Sequence, residues 1–271
     1  MPTTGLEVRL TEGRERAEVA RFTKTLDEIV RSLREIDRVY LRKGTRATWV
    51  LADLKHDHEE LIVRLEARPR SSERTVEDML RPVDALVIGA ERLGEVAEVP
   101  EFFLPQTVGR LGELATPKEG VQAVALAPYN GVVGRAVYLT DAVQRNALEA
   151  VSPFEMSYGS VTGVVEVLGT ARKNNLRLNI YESGNRRPIQ AYVAAAEAEQ
   201  VRQLWLHRVL VGGIIKRNRR GQVIRIDVDQ VMPLPETDDA RPSTDEVLGI
   251  DPGWLGAKTV DEYLREVRGE G

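Results

Sequence analysis

The chain has 271 residues, 42% of them hydrophobic and 30% charged, with 38 basic and 42 acidic side chains and a net charge of −4. It has no cysteine, which excludes a disulfide scaffold, thiolate metal sites and cysteine nucleophiles. No stretch approaches the roughly 18 unbroken apolar residues of a membrane-spanning helix, and the first twenty residues lack an apolar run of the secretory type. A cytoplasmic protein with no membrane partner is therefore expected.

Residues 6–11 read as a short alternating strand. Over residues 14–42, Val19, Phe22, Leu26, Ile29, Leu33, Ile36 and Tyr40 step by three and four, so they share one stripe of a helix that Gly44 ends. Residues 46–54 and 60–67 predict a hairpin joined by the polar turn Lys55 to Glu59. Residues 73–98 predict a helix kinked or broken at Pro82, and 105–116 a second one starting near Pro105. Strands at 121–127 and 132–139 flank Tyr129-Asn130-Gly131, a strong hairpin turn, and 141–151 predicts a helix. The order β-α-β-β-α-α-β-β-α makes residues 1–152 an α+β domain.

After Ser152-Pro153 the pattern changes. Strands are expected at 158–168, 176–182, 189–194, 208–216 and 222–232, with one short helix at 196–206. Asn218-Arg219-Arg220-Gly221 is the last hairpin turn, and Pro233 and Pro235 close the segment. The charge changes as well. Residues 1–152 carry 22 Lys and Arg against 25 Asp and Glu, residues 153–235 carry 12 against 7, and residues 236–271 carry 4 against 10. A basic segment thus lies between a near-neutral domain and an acidic tail, a pattern that speaks to partners rather than to fold.

Three strands, a helix and two strands in about eighty residues, with Gly159 and Gly163 where the first strand must bend, resemble an OB-fold small barrel over 153–235. Alternation puts Leu176, Leu178, Ile180, Ile189, Ala191 and Val193 on a core face. Arg177, Asn179, Tyr181, Gln190 and Tyr192 fall on the opposite face. In OB folds the second and third strands carry the ligand face, so the resemblance implies a platform for single-stranded DNA or RNA, with bases stacked on the tyrosines. Arg186, Arg187, Lys216, Arg217, Arg219 and Arg220 are expected as a basic rim.

The tail, 236–271, resembles acidic C-terminal tails of bacterial proteins. Trp254, Leu255, Tyr263 and Leu264 form an amphipathic element suited to a protein partner's groove. The alternative reading is thus an adaptor or antitoxin-like protein that grips its partner through the first domain and the tail. His56 and His58 around Asp57 could begin a metal site, but a charged turn is the default reading. No Walker loop, nucleophile elbow or dinucleotide fingerprint is present. No catalytic constellation, metal or cofactor is expected.

Overall fold

A computed structural model describes residues 4–42, 44–70, 74–170, 175–182 and 187–235, together with 259, 265 and 268. Met1–Leu234 forms one compact unit. Among the described residues no helix is long and apolar enough to cross a membrane.

The first part is built on an antiparallel sheet of β1 (Thr4–Glu12), β2 (Thr48–Asp57), β3 (Glu60–Arg68), β4 (Val121–Asn130), β5 (Val132–Val133) and β6 (Val137–Leu139), in the order β2-β3-β1-β4-β5 with β6 also on β4. On the central strand β1, Leu6, Val8 and Leu10 are sealed beneath the helices, and Val8 is flanked by Val63 and Leu126. Over this face lie α1 (Val19–Leu41), α2 (Val76–Glu95), α3 (Pro105–Leu114) and α4 (Asp141–Val151). Ile29, Leu33 and Ile36 of the expected α1 stripe are fully buried, whereas Val19 is exposed because it is the first helical residue.

Three local expectations are revised. First, α2 runs unbroken through Pro82. Proline has no N–H to give the Asp78 carbonyl four residues back, and the Arg74 guanidinium donates to that oxygen instead at 2.8 Å. Thr75 and Asp78 start the helix with a reciprocal capping box. Second, Lys55, His56 and Asp57 belong to β2, and the turn narrows to His58-Glu59, with His58 left-handed at φ 53°. Third, the strand expected at 132–139 is split into β5 and β6 around Gly134, whose N–H donates to the Pro128 carbonyl.

The second part is a closed barrel of β7 (Glu155–Thr170), β8 (Leu176–Tyr181), β9 (Ile189–Val193), β10 (Arg208–Arg217) and β11 (Val223–Pro233). Strand β7 pairs with β8 and β10, and β11 joins β9 in parallel, which closes the Greek key as in an OB-like barrel. A 3-10 turn (Ala195–Glu197) and α5 (Ala198–Gln203) lie between β9 and β10. The six core-face residues expected on β8 and β9 are all buried, with Val165, Val209, Val211 and Ile226 facing them. Gly163 lets β7 bend against β8: a Cβ there would lie 2.6 Å from the Tyr181 carbonyl oxygen. The whole is an α+β protein.

Candidate functional site

The face of β8 and β9 opposite the barrel core is where an OB ligand platform was expected. It is polar, as the alternation indicated, but it does not face solvent. Asn179, Tyr181 and Gln190 are all buried, and Tyr181 is only 2% exposed. The helices of the first part lie over them. The Gln190 side chain donates to Gln106 of α3 at 2.6 Å. Tyr181 packs with Val39 of α1 and with Leu104, and the Arg42 guanidinium stands 4.8 Å from its ring centre. The expectation of two outward tyrosines on an open platform is therefore corrected at Tyr181, which is interior, whereas Tyr192 is half-buried. Strand alternation tells two faces apart but does not say what covers the second.

Gln106 also ties this contact to α1. It donates to Glu35, which accepts from Arg110 and Thr107 as well. Burial pushes the Glu35 carboxyl up, but these donors outweigh it and the net shift is downward. The loop between β10 and β11, the other ligand element of OB folds, is equally occupied. Asn218 is buried and donates to the Ala150 carbonyl at the end of α4. Gln222 clasps Val99 from both sides, accepting from its N–H at 2.7 Å and donating to its carbonyl at 3.3 Å.

The expected basic rim is largely paired. Arg219 meets Glu149 at 3.2 Å and Arg220 meets Glu98 at 3.6 Å, each a carboxylate of the first part. Arg187 reaches the Val99 carbonyl, and Arg217 donates to the Gly221 carbonyl. Arg177 is half-buried. Arg186, Trp254, Leu255, Tyr263 and Leu264 lie outside the described residues. His56 donates to Glu12 and His58 to Asp57, and among the described residues no group of three or more acidic or histidine side chains converges on a metal-sized site.

The barrel's uncovered wall is formed by β7, β10 and β11 and reaches Tyr192 on β9. Phe154, just before β7, and Met156 and Tyr158 on it occupy alternate positions and are 65, 66 and 70% exposed. Register places Tyr158, Ile214, Asp227 and Tyr192 in one row across four strands, and Met156, Lys216 and Arg225 in the next. The Arg225 guanidinium lies 4.0 Å from the Tyr192 ring centre, and that of Arg219 lies 4.9 Å from the Phe154 ring. Asp227 bridges Lys216 at 2.8 Å and Arg225 at 2.6 Å. Burial raises its pKa, but the two cations prevail and its carboxyl sits below the ordinary range.

Tyr192 and Lys216 are the expected site residues that reach this wall, with Arg219 at its edge. Phe154, Met156, Tyr158 and Arg225 were missed. Their signal was present: the segment Pro153-Phe-Glu-Met-Ser-Tyr158 alternates large apolar with small or charged residues, and its large residues precede the bend at Gly159 and Gly163. Comparison with protein-family models, curated proteins and solved structures returns no match.

Proposed function

We propose that the protein is a non-catalytic binding protein that takes single-stranded nucleic acid on the wall made by β7, β10 and β11 rather than on β8 and β9. One observation carries this reading: Phe154, Met156 and Tyr158 stand out from one strand at alternate positions, largely exposed. Alternate strand residues are about 6.7 Å apart, close to the reach of one nucleotide in an extended strand. Exposed rings of this kind stack on bases of any sequence, and each stacked base contributes about 1–3 kcal/mol. Lys216, Arg225 and Arg219 supply cations beside the same row.

The test is fluorescence anisotropy with labelled oligo-dT and oligo-U on the full chain at rising salt. Affinity should fall steeply as salt rises, because phosphate contacts release counterions. Phe154→Ala and Tyr158→Ala should each weaken binding by about five- to hundredfold. Binding that is absent at low salt, or that ignores both substitutions, overturns the reading.

A second reading has its own support. Asp227 neutralises Lys216 and Arg225 locally, and Tyr158 is paired with Asp229. A charge-balanced wall rich in Tyr, Phe, Met and Arg also suits a protein partner. A partner that binds with little salt dependence and competes through Met156 and Tyr158 favours that reading.

A further inference from the structure

A cavity lies away from this wall, where the C-terminal end of α1 meets Tyr181. It measures about 400 Å³ and is lined by Val39, Tyr40, Arg42, Arg81, Phe102 and Tyr181. Three of these are aromatic and two are guanidinium groups. Tyr40 and Phe102 stand edge to face, with ring centres 5.7 Å apart. Arg42 covers the Tyr181 ring. Its carboxylate neighbour, Glu166, is 3.8 Å away, and the partner of Arg81, Glu77, is an exposed residue one helical turn before it. The Arg81–Glu77 pair is exposed on both sides, and such pairs are weak and readily exchanged for a better anion, while Glu166 is largely buried and stands at the long end of ion-pair distance from Arg42.

Two further features set the cavity apart. The Tyr181 hydroxyl is sealed from solvent; the Asn179 side chain lies beside it, but among the described residues it has no acceptor for its own proton, an arrangement that costs free energy until one arrives. Burial pushes this hydroxyl up to about 12, so it remains a proton donor. The backbone is also constrained. Phe102 has a φ of 64°, which an aromatic side chain seldom adopts, and Arg42, where α1 ends, has a φ of 51°. Non-glycine residues held at positive φ concentrate at ligand clamps, because the surrounding structure must impose the conformation.

We propose that this cavity binds a nucleotide, its base against the Tyr40 and Phe102 rings and its phosphate between Arg42 and Arg81. Aromatic walls take a base by stacking, and the planar fork of arginine matches a phosphate's oxygens. The volume lies at the lower end of small-ligand sites, which suits one nucleotide and not a longer strand. The Tyr181 hydroxyl then donates to the phosphate. This site is independent of the barrel wall, and either can exist without the other.

The experiment is isothermal titration of the full chain with AMP, GMP, CMP and UMP, with the parent nucleosides, and with inorganic phosphate. At least one monophosphate should bind about tenfold or more tightly than both its nucleoside and inorganic phosphate. Arg42→Gln and Arg81→Gln should each weaken it about tenfold, and Tyr158→Ala should leave it unchanged. A 5′-phosphorylated hexanucleotide separates the two sources of such a ligand. Tighter binding than the free monophosphate assigns the site to strand ends, and weaker binding assigns it to free nucleotides. No binding by any monophosphate up to about 1 mM, equal affinity for inorganic phosphate, or full affinity in the Arg42→Gln/Arg81→Gln double variant overturns the proposal.

Discussion

Asp37 offers the sharpest test of how this molecule is held together. It sits near the end of α1, with its side chain 1% exposed. One carboxylate oxygen accepts from the Ala47 N–H at 3.0 Å and from Arg74 at 3.1 Å, and the other accepts from Arg74 at 2.8 Å. Arg74 is itself buried, at 5%. One carboxylate therefore joins α1, the approach to β2 and the start of α2. Asp37→Ala leaves a buried guanidinium with the Asp78 carbonyl as its remaining acceptor, and a backbone N–H with none. Breaking a buried pair from one side costs about 3–5 kcal/mol, against a total stability of about 5–15 kcal/mol for a domain. The expected loss is about 4 kcal/mol, or roughly 10 °C in Tm for a unit of this size. Urea unfolding, followed by tryptophan fluorescence and far-UV circular dichroism, measures it. Asp37→Leu combined with Arg74→Met removes both charges and should cost less than Asp37→Ala alone, because no charge is left stranded. A loss under about 1 kcal/mol for Asp37→Ala, or a double variant worse than the single one, refutes the reasoning. The consequence reaches the cavity as well, since Tyr40 and Arg42 lie in the stretch that closes α1 just after Asp37.

Three other outcomes are expected. The His56 hydrogen bond, followed by those of Ala17 and Arg16, holds the Glu12 carboxyl at about 2 despite its burial. A depressed carboxyl pKa contributes stability that is complete above pH 4.5 and is lost as pH falls toward 2. The Tm difference between wild type and Glu12→Gln should therefore shrink over that window; a constant difference contradicts the assignment. Gly163→Ala forces a Cβ against the Tyr181 carbonyl at 2.6 Å and the Ile180 side chain at 2.7 Å, so a loss of about 1–3 kcal/mol is expected from overpacking, and an unchanged urea midpoint argues against the tight bend. Tyr181→Phe removes a buried hydroxyl that finds no acceptor among the described residues, so Tm should hold or rise while nucleotide affinity in titration falls; a large drop in Tm means that the hydroxyl is bonded within the fold.

The elements were largely legible from local chemistry. The α1 stripe, the turn at Asn130-Gly131, proline at the first position of α3 and the alternation of β8 and β9 each depend on residues a few positions apart, and each element formed close to where it was expected. The exceptions have distant causes. The unbroken α2 depends on Arg74 supplying the donor that Pro82 lacks. The residues Phe102, Phe103 and Leu104 serve two cores at once, Phe103 beneath the helices and the other two against Tyr181.

Periodicity alone was enough to read an α+β chain and to say which side chains of each strand share a face, while the closed five-stranded barrel was expected from the resemblance of its element order to an OB fold. Tertiary structure alone decided which of the two faces meets water. Gln106 and Gln190 are 84 positions apart, and no local pattern encodes that α3 lies over β9. That contact buried the tyrosine a sequence pattern would choose and left Phe154, Met156 and Tyr158 in the open, because exposure depends on what packs across a face and not on the residues within it.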